Sequence, residues 1–114
     1  MERIKKTGFD AYDVAVEITY EMRPIVAVLR RHDTELASEA RRATQSIGLN
    51  LSEGRRRAGK DRLHHFRISL GSTEEVKASL DQAEGWGYIE RPKTETVRAL
   101  LDRELAMLWR LTGN

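Results

Sequence analysis

The chain contains no cysteine, which removes both a disulfide framework and a thiolate metal site from consideration. Only two prolines occur, Pro24 and Pro92, and no repeat or low-complexity stretch breaks the sequence. Aromatic residues make up 6% of the chain, and few of them lie among the basic residues, so base stacking has no evident platform. No apolar run approaches the roughly 18 residues that a membrane span needs, and no apolar segment follows the charged N-terminus Met1-Glu2-Arg3. A soluble, unprocessed, cytoplasmic chain is therefore expected. Nothing alternates with period two, which argues against a sheet-based fold.

The chain does have helical periodicity, in four segments, and its 114 residues suffice for one core. The expectation is an all-α antiparallel up-down-up-down four-helix bundle, a single domain over 1–114, with helices at about 10–31, 34–54, 60–86 and 93–111. In the first helix Asp10 is the expected N-cap and the inward stripe is Tyr12, Ala15, Val16, Thr19, Met22, Val26 and Leu29. Pro24 lies inside it and predicts a kink near Tyr20 to Arg23. The second helix carries a small-residue seam of Leu36, Ala40, Ala43, Ile47, Asn50 and Gly54. The third places Leu63, Phe66, Leu70, Thr73, Val76, Leu80 and Ala83 on one face, and Gly85 and Gly87 end it. The fourth shows a leucine face from Val97 to Leu111 with Glu104 inside it, where core ion pairing is expected.

Net charge is only +2, but it is unevenly spread. Between Arg41 and Arg67 eight Lys or Arg residues stand against two acids, Glu53 and Asp61. Such a segment on an otherwise mildly acidic chain is the footprint of a polyanion-binding surface. Arg55, Arg56, Arg57, Lys60, Arg62 and Arg67 are the candidate nucleic-acid-binding residues. They span a turn and a helix start, where backbone donors also favour anions, and arginines there suit phosphates without reading bases.

Arg42, Ser46, Leu49 and Glu53 form one stripe along the second helix, and a leucine set between charges reads as a subunit contact. On the third helix Gly71, Ser72, Glu75 and Ser79 are mostly small and permit close approach, with an arginine of the second helix expected to hold Glu75. No catalytic constellation appears: there is no phosphate loop, no Ser-His-Asp order and no paired carboxylate site. Asp61-x-x-His64 is the sole approach to a di-iron motif and lacks the partner ligands, so neither metal nor cofactor is expected.

The run Arg41-Arg42-Ala43 to Ser46-Ile47, then Asn50, Glu53, Gly54, Phe66, Leu70-Gly71-Ser72, Glu75, Ala83 and Gly87-Tyr88-Ile89, resembles the four-helix bundle family of proteins encoded in 23S ribosomal RNA intervening sequences. The pattern departs from the family's at Gly48, where proline is usual, at Leu49, where a small polar residue is usual, and at Tyr12, where tryptophan is common. The resemblance implies an up-and-down bundle assembled as a homopentamer, and Arg41, Arg42, Leu49, Asn50, Glu53, Gly71, Ser72 and Glu75 are the expected structural or oligomer-interface positions. More distantly, the chain is similar to the accessory variability determinant proteins of diversity-generating retroelements, which implies an RNA or DNA backbone and a reverse transcriptase as partners. Two functions follow as expectations. One is a non-enzymatic oligomeric nucleic-acid-binding bundle; the alternative is a structural or protein-interaction adaptor using Glu74, Glu75, Asp81, Glu84 and Trp109.

Overall fold

The computed structural model describes residues 5–113. Four helices follow one another: α1 (Asp10–His32), α2 (Thr34–Arg55), α3 (Gly59–Gly85) and, after a short 3-10 turn at Arg91–Thr94, α4 (Glu95–Leu111). Each packs on the next and α4 returns to α1, so the chain forms the all-α up-down-up-down bundle that its periodicity predicts. Ile18, Met22, Leu29, Ile47, Leu51, Val76, Leu80, Leu101 and Leu108 are all buried along its axis. Each such side chain contributes about 1.5–3 kcal/mol of burial.

The inward face of α1 differs from the expected stripe. Ala11, Ala15, Ile18, Met22, Ile25 and Leu29 are buried at alternating spacings of four and three, whereas Thr19 is exposed and returns its hydroxyl to the Ala15 carbonyl at 3.2 Å. Ala15, Met22 and Leu29 of the expected stripe are thus inward, while Tyr12, Val16 and Val26 are half-buried at the margin of a wider arc. Pro24 lies on the exposed side, and α1 runs through it as one continuous helix from Asp10 to His32. The N-cap is Phe9, not Asp10. Asp13, buried to 7% exposure, accepts instead from the Thr7 backbone N–H at 3.2 Å and its hydroxyl at 2.8 Å, tying the preceding segment to the helix.

The connections are set by local chemistry. Asp33 caps α2 by accepting from the Leu36 N–H at 2.9 Å. Gly87, at φ +77°, ends α3 with the Gly87 N–H on the Glu84 carbonyl at 3.0 Å and the Tyr88 N–H on the Ala83 carbonyl at 2.8 Å. That pair of bonds is a Schellman cap, which needs the left-handed conformation that glycine adopts without strain. Tyr88 then stacks on His32 with ring centroids 5.1 Å apart, joining the two connections at this end.

Candidate nucleic-acid interface

The arginine-rich turn lies at the opposite end. Here α2 and α3 approach so closely that a Cβ on Gly54 would sit 2.7 Å from Cε1 of Phe66 and 3.1 Å from Cβ of His65. Phe66 meets Phe9 at a centroid distance of 6.0 Å, and the Arg55 guanidinium lies 5.5 Å over the Phe9 ring. Arg62 reaches back across the turn, donating Nε to the Gly54 carbonyl at 3.2 Å and Nη2 to the Arg55 carbonyl at 3.1 Å. These carbonyls belong to the last turn of α2, where the helix dipole favours a cation.

The turn also projects past α4. α3 has 27 residues and α4 has 17, lengths of about 40 and 25 Å at 1.5 Å per residue. Trp109 and Arg110, near the lower end of α4, lie beside Leu70 and Glu74, so the first turns of α3 project past α4. The basic residues thus occupy the tip of a two-helix hairpin.

Charge at the tip is organised around one carboxylate. Arg56 Nη2 donates to Glu53 Oε1 at 2.7 Å and Arg57 Nε to Glu53 Oε2 at 3.0 Å, while Arg57 Nη1 lies 3.8 Å from Asp61. Hydrogen bonds from Arg56 and then Arg57 hold the Glu53 carboxyl below the usual carboxylate range. Both guanidinium groups remain open to water, with side-chain exposures of 71% and 46%, and a guanidinium carries five N–H donors. Glu53 therefore orients the pair and leaves donors outward. Lys60 and Arg67 are exposed and form no ion pair with a described residue. Lys5 and Lys6, which the sequence reading did not include, are exposed immediately before Thr7.

Of the expected binding set, the structure gathers Arg55, Arg56, Arg57, Lys60 and Arg62 at the tip. Arg67 stands about two turns further along α3. Arg62 is committed to backbone carbonyls, and Arg56 and Arg57 share Glu53. The i,i+3 and i,i+4 spacing of Glu53 from these two arginines is the sequence signal for that pairing.

The expected interface positions divide between the outer surface and the α2–α3 seam. Leu49 is 68% exposed, and Arg41, Arg42, Gly71 and Glu75 are also exposed. Glu75 turns to solvent and pairs with no arginine among the described residues, so the expected hold from α2 is absent because the carboxylate keeps its water. Asn50 and Ser72 instead belong to a polar ladder along the seam. Ser72 donates to the Ser46 hydroxyl at 2.7 Å, the Asn50 amide donates to that same hydroxyl and to the Ser46 carbonyl at 3.0 Å each, and His65 Nδ1 lies 3.0 Å from Asn50 Oδ1. His65 had no assigned role, although an antiparallel register about the turn pairs it with Asn50 just as it pairs Ser69 with Ile47, whose carbonyl accepts from the Ser69 hydroxyl at 2.8 Å.

Glu104 also departs from expectation. It is 0% exposed, and neither carboxylate oxygen has a hydrogen-bond partner, so it forms no core ion pair. Burial raises its pKa to about 8; the opposing charge comes only from Arg103, an exposed neighbour on its own helix. The acidic patch of the adaptor reading is partly engaged. Asp81 accepts from Arg98 at 2.8 Å and Glu84 from Arg91 at 3.3 Å. Among the described residues no three His, Asp or Glu side chains come together as a metal-binding group, and no helix is long and apolar enough to cross a membrane.

A model of the family described as 23S rRNA-intervening sequence protein matches residues 8–110. Among solved structures, the chain is similar to a protein of unknown function from the S23 ribosomal protein family of Bacteroides thetaiotaomicron VPI-5482. The TM-score is 0.82 at 19% identity, covering 91% of this chain and 99% of the other. No curated protein matches the chain.

Proposed function

The chain belongs to the 23S rRNA-intervening sequence protein family, and from that premise we propose that it is a non-enzymatic, homo-oligomeric bundle that binds nucleic acid through the α2–α3 tip. The observation that carries this reading is the gathering of Arg55, Arg56, Arg57 and Lys60 on a projecting hairpin whose geometry is fixed by Gly54, Phe66 and Arg62. Guanidinium and ammonium donors suit phosphate oxygens of either RNA or DNA and displace condensed counterions. Several copies side by side multiply the contacts of a single tip.

Assembly has its own support. Gly71 lies inside α3 and a Cβ there would touch nothing within 4 Å, so packing within the chain does not require glycine, although mid-helix glycine costs roughly 0.5–1 kcal/mol. Close approach by a second chain accounts for this glycine, and Leu49 on α2, 68% exposed, offers apolar surface for a subunit contact. A pentamer is the number that the family resemblance supplies, and a reverse transcriptase is the companion protein that the more distant one supplies.

Binding to a generic RNA duplex, followed by fluorescence anisotropy, should weaken by roughly tenfold or more between 50 and 200 mM salt. Arg55→Glu combined with Lys60→Glu should abolish it, and an affinity indifferent to salt would count against phosphate contacts. Light scattering should report an oligomer that Leu49→Arg dissociates; a monomeric wild-type chain would remove the assembly.

A further inference from the structure

Beside the basic tip, one side chain presents the opposite hydrogen-bonding character. The Asn50 amide nitrogen donates to both the carbonyl and the hydroxyl of Ser46, and that hydroxyl is fixed in turn by Ser72. With its nitrogen so engaged, Asn50 turns its oxygen toward His65 Nδ1 at 3.0 Å. An amide oxygen only accepts, so the proton must sit on Nδ1, and in the neutral imidazole Nε2 is left as a bare acceptor. His65 is half-buried, yet Nε2 has no described partner and is not among the buried unpartnered atoms, so that edge of the ring meets solvent. Position follows from the close approach at Gly54, where an added Cβ would lie 3.1 Å from that of His65, and from Arg62, one turn earlier on α3, which bonds the same residue's carbonyl.

We infer that His65 Nε2 accepts a hydrogen bond from a ribose 2′-hydroxyl when the tip holds a phosphate backbone, and so makes the protein prefer RNA to DNA. The inference rests on the proposed binding of nucleic acid at the tip. Lysine and arginine only donate, which suits phosphate oxygens and makes no distinction between the two sugars. An acceptor fixed in its tautomer one turn away supplies what they lack, because the 2′-hydroxyl is the donor that RNA adds next to each phosphate. Asn50, Ser46 and Ser72 are positioning residues: they set which ring nitrogen carries the proton and do not touch the ligand.

The test compares two duplexes of one sequence, unmodified RNA and fully 2′-fluoro RNA, which keeps the A-form but cannot donate from the 2′ position. The full chain at low salt should bind RNA roughly three- to tenfold more tightly, the share of a single hydrogen bond. His65→Phe should bring the ratio to one, the loss falling on the RNA duplex. Asn50→Leu should lower the same ratio by freeing the tautomer, a readout that merely structural damage would not move selectively. Equal, salt-dependent binding of both duplexes by the unaltered chain overturns the inference and leaves the tip reading intact. Binding of neither duplex overturns both.

Discussion

Replacing Glu104 with methionine should stabilise the protein, and by an amount that depends on pH. The carboxyl is fully enclosed without a hydrogen-bond partner, and burial lifts its pKa from 4.5 to about 8. Between these values the unfolded chain releases the proton while the folded chain retains it. The contribution of this group to stability is then greatest below pH 4.5 and is lost as pH rises toward 8, at up to about 1.4 kcal/mol per pH unit. By pH 7 the loss is about 3 kcal/mol, a large share of the 5–15 kcal/mol typical of a domain. Methionine has similar length, adapts to irregular core space and does not titrate. Urea unfolding at pH 5, 6, 7 and 8 should show Glu104→Met more stable than the parent, with the difference widening at each step and levelling above pH 8. A difference that stays constant across these pH values would show that the acid does not stay protonated in the core, and the reasoning would fail.

Gly54→Ala should destabilise the fold by about 1–3 kcal/mol, because its Cβ would enter the Phe66 ring at 2.7 Å and that ring is itself held against Phe9; thermal unfolding monitored by circular dichroism measures the loss, and an unchanged midpoint would refute the close approach. Asp33→Ala removes the α2 cap on Leu36 and should cost about 1 kcal/mol, with Asp33→Ser recovering most of it in the same urea assay. Gly71→Ala should raise the stability of the dilute, unassembled chain by roughly 0.5–1 kcal/mol, since the added methyl meets open space; destabilisation would mean that the chain already packs there.

Much of the bundle was legible from periodicity, because leucine, valine and alanine at spacings of three and four mark the inward faces of α2, α3 and α4. On α1 the expected stripe holds at Ala15, Met22 and Leu29 and fails at Thr19. The helix's two apolar faces merge into a wide arc, and Tyr12, Val16 and Val26 lie on the arc's margin while Ile18 and Ile25 lie at its centre. At the tip, the residues were readable and their engagements were not. Clustering of arginines is a property of composition, whereas the return of Arg62 to the α2 carbonyls depends on the path of the turn. Glu104 was correctly placed on an inward face, but the expected cation could not be checked without knowing what opposes it. The Asn50–His65 contact was hidden for a related reason, since a pair separated by 15 residues becomes visible only once the hairpin register is fixed.

The projecting hairpin separates two evolutionary pressures. Residues 55–61 are all exposed and none of their side chains belongs to the buried core, so apart from Gly59, held at φ +59°, their replacement need not disturb the packing that defines the bundle. Relatives sharing this scaffold are therefore free to diversify the loop as an exchangeable recognition element, and preservation of the architecture is no guarantee of a shared ligand.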